Sequence, residues 1–156
     1  MNQTRGFVLA LIGCLALAPG AAVANDDPPT PVMSPDHQAG KRAVDAKDWN
    51  AAVNALTAAE KREPNNADVQ NLLGYSYRNS GKLDPAFKHY ERALQINPKH
   101  LGAHEYAGEA YLMTNNLPKA EEHLASLKRI CTRVCEQRDA LEKQIAEFRR
   151  RTAAAR

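Results

Sequence analysis

The sequence repeats itself with a period of 34 residues between about residue 33 and residue 134. Small and bulky residues both recur in phase, at Gly40, Gly74 and Gly108, at Ala52, Ala86 and Ala120, at Leu56, Tyr90 and Leu124, and at Tyr77 and Tyr111. A chance match over one copy is easy, whereas agreement over three copies is not. Because one such copy cannot cover its own apolar face, we expect stacked copies that share a continuous core.

Each copy divides into two helical segments joined by a short polar turn. Pro64 and Pro98 follow the second segments and prevent their continuation. Helix starts are marked by a capping residue or an early proline at Ser34-Pro35, Asn66 and Asp84-Pro85. We predict helices at about 35–46, 50–62, 67–79, 84–96, 101–114 and 118–130.

The middle copy carries a nearly complete family pattern, with Leu73-Gly74, Tyr77, Ala86, Tyr90, Ala93 and Pro98. It resembles the tetratricopeptide repeat (TPR), a helix–turn–helix unit. The resemblance covers about residues 33–134 and implies an all-α superhelix of three helix pairs, at about 33–66, 67–100 and 101–134. The positions that pack the helices would be Gly40, Ala52, Gly74, Tyr77, Ala86, Tyr90, Gly108, Tyr111 and Ala120.

The third copy has Val134 where the closing proline is expected, and a further amphipathic segment follows it. Val134, Leu141, Ile145 and Phe148 recur on one helical face among charged residues. We predict a capping helix within residues 135–151 that covers the last repeat. Residues 152–156 are expected to form a disordered tail.

The N-terminal 24 residues have the pattern of a bacterial secretory signal peptide. Arg5 precedes an apolar run at 7–18, and Pro19-Gly20 is followed by a small-residue cleavage site ending at Ala24. The run is too short to span a bilayer comfortably. We expect a periplasmic or secreted protein, with a proline-rich linker at 25–34. The alternative is a lipoprotein anchored through Cys14, because residues 11–14 resemble a lipobox.

Catalytic fingerprints are absent from the sequence, which contains no Gly-rich phosphate loop, no Gly-x-Ser-x-Gly setting and no HExxH motif. We therefore expect neither an enzyme nor a cofactor. His100 and His104 have the i,i+4 spacing of a helical metal pair. Packing or helix capping is the favoured interpretation of the two histidines, and a metal site is the alternative.

The charge of the chain is small overall and uneven. A net charge of +3 gives no reason to expect nucleic acid as a partner, but basic residues accumulate from Lys128 onward. The favoured interpretation is a solvated helix face. A weak contact with anionic lipid or with an acidic partner through the C-terminal helix is the alternative.

The TPR resemblance implies that the first helix of each pair lines a concave groove for a peptide or protein. Transferred by repeat position, the groove residues would be His37, Lys41, Val44, Asn71, Tyr75, Arg78, Asn79, Glu105, Glu109, Leu112 and Met113. The Lys/Asn/Arg clamp by which some members grip chaperone tails is missing, because its positions hold His37, Lys41, Leu72, Gly102 and Tyr106. We expect a non-enzymatic periplasmic adaptor that assists the assembly of envelope or secretion complexes.

Cys131 and Cys135 lie where the last repeat should end and the capping helix begin. In an oxidising compartment two lone cysteines usually pair, and a helix–turn–helix junction can bring their β-carbons within reach. We predict a structural disulfide between them. The alternative function is a copper or thiol-redox carrier, because thiolates bind Cu(I) and Arg129 and Arg133 would lower the thiol pKa.

Overall fold

The structure is a computed structural model that describes residues 33–155. This part of the chain consists of helices and the turns between them: α1 (Pro35–Asp45), α2 (Trp49–Arg62), α3 (Ala67–Asn79), α4 (Leu83–Ile96), α5 (Leu101–Met113), α6 (Leu117–Ile130) and α7 (Glu136–Ala154). The first six begin and end within one residue of their predicted bounds. The predicted all-α fold is confirmed.

The predictions for the N-terminal segment lie outside the described residues. They include the signal peptide at 1–24, its cleavage after Ala24, the lipidation of Cys14 and most of the linker at 25–34. Among the helices of residues 33–155, none is both long enough and apolar enough to cross a membrane.

Side-chain caps account for most helix starts. The Ser34 hydroxyl accepts a hydrogen bond from the His37 amide at 3.2 Å, and Pro35 occupies the first turn of α1. The carboxylate of Asp48 and the amide oxygen of Asn116 accept equivalent bonds at the starts of α2 and α6. The intervening helix α4 lacks a side-chain cap, because Lys82 stands at the same repeat position, and it begins one residue before the predicted Asp84.

The turn inside each helix pair contains one residue with a left-handed backbone, again at 34-residue spacing. Lys47 has φ 57°, Gly81 has φ 74° and Asn115 has φ 57°. Glycine and, to a lesser degree, asparagine adopt this conformation readily, whereas lysine does so at a cost of about 1 kcal/mol. The three helix pairs therefore share the left-handed residue of their turns.

Neighbouring pairs stack in one regular manner. Helix α3 contacts both α1 and α2, α5 contacts both α3 and α4, and α7 contacts both α5 and α6. Helix α7 therefore takes the place that the first helix of a fourth pair would occupy. The buried apolar residues form three clusters, one between α2 and α3, one between α4 and α5, and one among α5, α6 and α7, and Tyr77 packs against the first two.

Glycines mark the closest helix contacts. A methyl group added at Gly40 would lie 2.5 Å from the Leu56 side chain, and one added at Gly74 would lie 2.5 Å from the Tyr90 ring. At Gly108 the nearest atoms belong to Leu141 of α7, at 2.6 Å, and not to the second helix of its own pair. The capping helix α7 therefore packs against Gly108, a glycine that belongs to the repeat pattern.

Two expectations about the C-terminal segment are wrong. Val134 does not share the apolar face of α7; it precedes the helix in the turn and is 95% exposed. The predicted disordered tail is helical as far as Ala154, and the Thr152 hydroxyl donates to the carbonyl oxygens of Phe148 and Arg149. Alanine-rich sequence favours helix, which explains why α7 continues past residue 151.

Candidate functional site

The first helices of the three pairs, α1, α3 and α5, lie next to one another. We use the term groove for the surface of these helices that carries Asn71, Tyr75, Arg78, Glu105 and Glu109. It contains Tyr75 and Tyr106 with ring centroids 4.7 Å apart, and the Trp49 ring meets Tyr75 edge-on at 5.9 Å. These aromatic side chains form a row that runs from the first pair to the third.

Arg78 is the central charge of the groove. Its guanidinium lies over the rings of both Tyr75 and Tyr106, at 5.2 and 5.4 Å from their centroids, and forms an ion pair with Glu109. The side chains of Arg78 and Glu109 are 12% and 18% exposed. The guanidinium charge is therefore already balanced within the protein, although Arg78 Nε is buried without a hydrogen-bond partner among the described residues.

Asn71 is a buried amide whose oxygen lacks a partner. The residue is 7% exposed, and its Oδ1 receives no hydrogen bond within residues 33–155. A methyl group added at Gly102 would lie 3.1 Å from Asn71 Nδ2, so the amide lies against the start of α5. Buried polar groups without hydrogen-bond partners are uncommon, because removing such a group from water costs free energy. The unpartnered oxygen of Asn71 therefore marks this part of the groove as a candidate binding position.

Glu105 occupies the position of Asn71 one repeat later. Burial and, to a smaller extent, the negative charge of Glu109 raise the pKa of its carboxyl to about 7. Arg78 acts in the opposite direction, and Glu136 at the start of α7 adds to the repulsion. Burial also raises the pKa of the neighbouring Tyr106 to about 12. The groove therefore holds a carboxyl group that titrates near neutral pH.

Several residues predicted to line the groove are instead buried in the core or hydrogen-bonded within the protein. His37 is 3% exposed, and its Nδ1 lies 3.2 Å from the Glu63 carboxylate, so it closes the first pair and does not face an open groove. Val44 and Leu112 pack into the core. Lys41, Asn79 and Met113 are exposed, and Asn79 donates to the Tyr75 carbonyl oxygen at 2.8 Å.

Tyr106 and Trp49 were missed as groove residues by reasoning from repeat positions. A signal for Tyr106 exists in the sequence, because Tyr75 and Tyr106 are separated by 31 residues, as are Arg78 and Glu109. A separation of 31 residues corresponds to the 34-residue repeat minus about one helical turn. It brings together residues that face each other between α3 and α5.

The ring nitrogens of His100 and His104 contact other groups of the protein. His100 caps α5, because its Nδ1 accepts a hydrogen bond from the Ala103 amide at 3.1 Å, and its Nε2 lies 3.0 Å from the Asp68 carboxylate. His104 Nε2 lies 3.0 Å from the carbonyl oxygen of Pro98. Capping and packing, the interpretation favoured from the sequence, describe both side chains. Within residues 33–155, no cluster of three or more potential ligands for a metal ion is found.

A second histidine interacts with His104. The Nδ1 atoms of His104 and His123 are 3.0 Å apart. A carbonyl oxygen can only accept, so Nε2 of His104 donates to Pro98, and in a neutral pair Nδ1 of His104 accepts from His123. Burial and, to a smaller extent, the neighbouring His104 lower the pKa of His123 to about 4. The pair is therefore neutral in the folded protein at neutral pH.

Cys131 and Cys135 flank the turn between α6 and α7. Cys131 ends α6 and Cys135 precedes α7, and their Cα atoms are 5.9 Å apart. This distance lies within the range that a disulfide spans. The oxidised state of the pair stays a prediction.

Some basic side chains of the C-terminal segment are paired on the surface. Lys128 Nζ lies 2.5 Å from Glu142, and Arg149 lies 2.6 Å from Glu121. Both ion pairs connect α6 and α7 through solvent-exposed side chains. Contact with anionic lipid or an acidic partner stays a prediction.

Comparison with known sequence families gives two matches. Both families are described as tetratricopeptide repeat; one matches residues 37–100 and the other residues 77–130. Together the matches span residues 37–130, which include the second helix of every pair.

A curated human protein, protein O-mannosyl-transferase TMTC3, is 28% identical over 87 residues. The match covers 56% of this chain but 10% of the human protein. The chain therefore spans about a tenth of that relative's length.

Solved structures show the same helical arrangement. The TPR domain of Sgt2 from Aspergillus fumigatus aligns with a TM-score of 0.69 at 21% identity, covering 81% of this chain and 83% of that one. The TPR2B domain of yeast Sti1, solved in complex with pHsp70, aligns with a TM-score of 0.65 at 19% identity, covering 78% and 95%. At these identities the likeness concerns the fold.

Proposed function

The chain belongs to the tetratricopeptide repeat family, and we propose that it is an adaptor that holds an extended segment of a partner protein in the groove. One observation carries the proposal. Asn71 lies in the groove with Tyr75 and Tyr106, and the oxygen of its buried amide has no hydrogen-bond partner in the described part of the chain. A peptide backbone offers both the donors and the acceptors that an amide requires, and aromatic rings give a large contact area at small entropic cost.

The adaptor would act without catalysis and outside the cytosol. The N-terminal sequence supports export, because Arg5, the apolar run at 7–18 and the small residues before Asn25 follow the order of a bacterial signal peptide. Within the periplasm, we propose a role in assembling or scaffolding envelope or secretion complexes. The related Sti1 domain was solved with pHsp70, which shows that this fold can hold a protein-derived ligand.

Site-specific photo-crosslinking in the native host tests the proposal. A photoreactive amino acid would replace Met113, which is 54% exposed in the predicted groove, or Tyr75. The matched control replaces Lys88, which is exposed on the second helix α4. We expect one defined partner, identified by mass spectrometry, to crosslink at Met113 and Tyr75 but not at Lys88.

A second variant separates binding from folding. Asn71→Ala should reduce crosslinking from Met113 at least fivefold while the circular dichroism spectrum stays helical. Equal crosslinking from groove and control positions, or full crosslinking by a folded Asn71→Ala protein, would show that the partner does not use the groove.

We propose that Cys131 and Cys135 serve this adaptor as a structural disulfide. Their Cα separation of 5.9 Å at the end of α6 supports this role, because the cross-link would fix the turn that presents α7. Intact mass before and after reduction and alkylation of protein purified from its native compartment tests the pairing.

A further inference from the structure

The charges around Glu105 are unbalanced. Glu109 is paired with Arg78, whose guanidinium also lies over two aromatic rings. Glu105 forms neither an ion pair nor a hydrogen bond within the described residues, and the charge of Glu136 acts on it as well. The Glu105 carboxyl is therefore subject to two neighbouring negative charges, Glu109 and Glu136, and to one positive charge, Arg78. Such a site repels an anionic ligand group and attracts a cationic one.

The hydrogen-bonding groups at this place are acceptors. Asn71 and Glu105 occupy the same repeat position, 34 residues apart, on the neighbouring helices α3 and α5. Among residues 33–155, no donor reaches the buried Asn71 Oδ1, and no hydrogen bond reaches the Glu105 carboxylate. A lysine ammonium or an arginine guanidinium carries several donors and no acceptor, so either supplies the kind of group that both acceptors lack.

We propose that Asn71 and Glu105 form a pocket for a lysine or arginine side chain of the bound partner segment. This inference rests on the proposed function, since it names the chemistry that the groove recognises in its peptide. Glu105 is the counter-ion of the cation, and Asn71 accepts a second hydrogen bond from it. The neighbouring Arg78 and Glu109 set the electrostatic environment of the Glu105 carboxyl.

Ionisation of Glu105 couples this recognition to pH. The charged groups that act on its carboxyl are Glu109 on its own helix, Arg78 on α3 and Glu136 on α7. With a pKa of about 7, roughly a tenth of the carboxyl groups are ionised at pH 6 and roughly nine-tenths at pH 8. A ligand that requires the carboxylate should therefore bind about ninefold more tightly at pH 8 than at pH 6.

Titration of the purified full chain by nuclear magnetic resonance tests the pocket. The probes are three acetylated and amidated alanine pentapeptides that carry lysine, norleucine or glutamate at the centre. We expect the lysine peptide to shift the backbone amides of Gly102 and Glu105, with a Kd at least tenfold below that of the norleucine peptide. The glutamate peptide should bind more weakly than either.

The variants are Glu105→Gln and, as a matched control, Glu91→Gln on the exposed face of α4. Glu105→Gln should abolish the preference for lysine and its pH dependence, whereas Glu91→Gln should change neither. Equal binding of the lysine and norleucine peptides would overturn the proposal, as would preference for glutamate. Saturation of the same amides by calcium in place of the lysine peptide would identify a metal site and would also overturn it.

The outcomes separate this inference from the proposed function. If Met113 still crosslinks to a partner while lysine and norleucine bind alike, the adaptor role stands and the cationic pocket is wrong. If the partner does not crosslink through the groove either, both proposals fail.

Discussion

Arg78 of α3 and Glu109 of α5 form an ion pair that joins the second repeat to the third inside the groove. Both side chains are largely buried, and the guanidinium also lies over Tyr75 and Tyr106. The pair therefore holds the aromatic row together and is part of the interface between repeats. Its removal should affect folding as well as binding.

We expect Arg78→Met to lower the free energy of unfolding by about 3 kcal/mol at pH 7.5, because Glu109 is left as an unpaired buried charge beside Glu105. Urea denaturation measures the change. The matched control is Lys119→Met, whose pair with Glu122 is exposed and screened by solvent, so its removal should change the free energy of unfolding little. Similar losses for the two variants would contradict the structural role of the pair.

Glu105→Gln should stabilise the protein at pH 8 and change little at pH 4.5. The folded-state pKa of Glu105, about 7, lies above the ordinary value of 4.5, so ionisation opposes folding and stability falls as pH rises through this window. With partial solvent screening, we expect a gain of about 1–2 kcal/mol at pH 8. Parallel urea titrations at the two pH values measure it, and a variant less stable than the wild type at pH 8 would refute the expectation.

Acidification should destabilise the protein through His123. Its folded-state pKa of about 4 lies below the ordinary 6.5, so the unfolded chain binds the proton first and stability falls as pH decreases from 6.5 toward 4. Between pH 7 and pH 5 the wild type should lose about 2 kcal/mol more than His123→Gln. Taking the difference between the two proteins cancels the opposite contribution of Glu105. Identical pH dependence of the two proteins would exclude this role for the histidine.

Leu141 should be essential for docking of the capping helix. The side chain is fully buried against Gly108, and we expect Leu141→Ala to cost about 3 kcal/mol, with faster hydrogen exchange throughout α7. Val134→Ala provides the control, because Val134 is 95% exposed and its truncation should cost less than about 0.5 kcal/mol. A small effect at Leu141 would mean that α7 is held chiefly by other contacts.

Reduction of the predicted Cys131–Cys135 disulfide should lower the free energy of unfolding by about 2 kcal/mol, the loop-closure entropy of so short a cross-link. Urea denaturation with and without dithiothreitol measures the loss. The Cys131→Ser/Cys135→Ser variant should match the reduced protein and should not respond to the reductant. Two alkylatable thiols in protein taken directly from the native compartment would argue against the disulfide.

The period of 34 residues is sufficient to predict the helices and their stacking. Gly40 and Gly74 contact residues of their own pair because spacing along the chain fixes which helical faces meet. The same argument does not specify that Gly108 receives Leu141 from α7, since the capping helix does not belong to the repeat. It also could not place Val134, because a residue at a helix start can face either the core or the solvent.

Repeat position predicts which residues lie on the groove side, but it does not predict their hydrogen bonds. His37 occupies the same position as Asn71 and Glu105, yet the Glu63 carboxylate at the end of α2 binds its ring and closes off the first repeat. The partner of Arg78 depends on side-chain rotamers across two helices. Such pairings are set by packing, which a single sequence does not contain.

The position of α7 has a consequence for changing the length of the array. Its exposed surface includes Lys143 and Gln144, so a copy appended beyond residue 154 would meet a polar surface. A copy of residues 67–100 inserted after His100 would instead find a compatible neighbour on each side. Inserting a repeat inside the array can therefore lengthen the groove, while α7 continues to cover the last repeat.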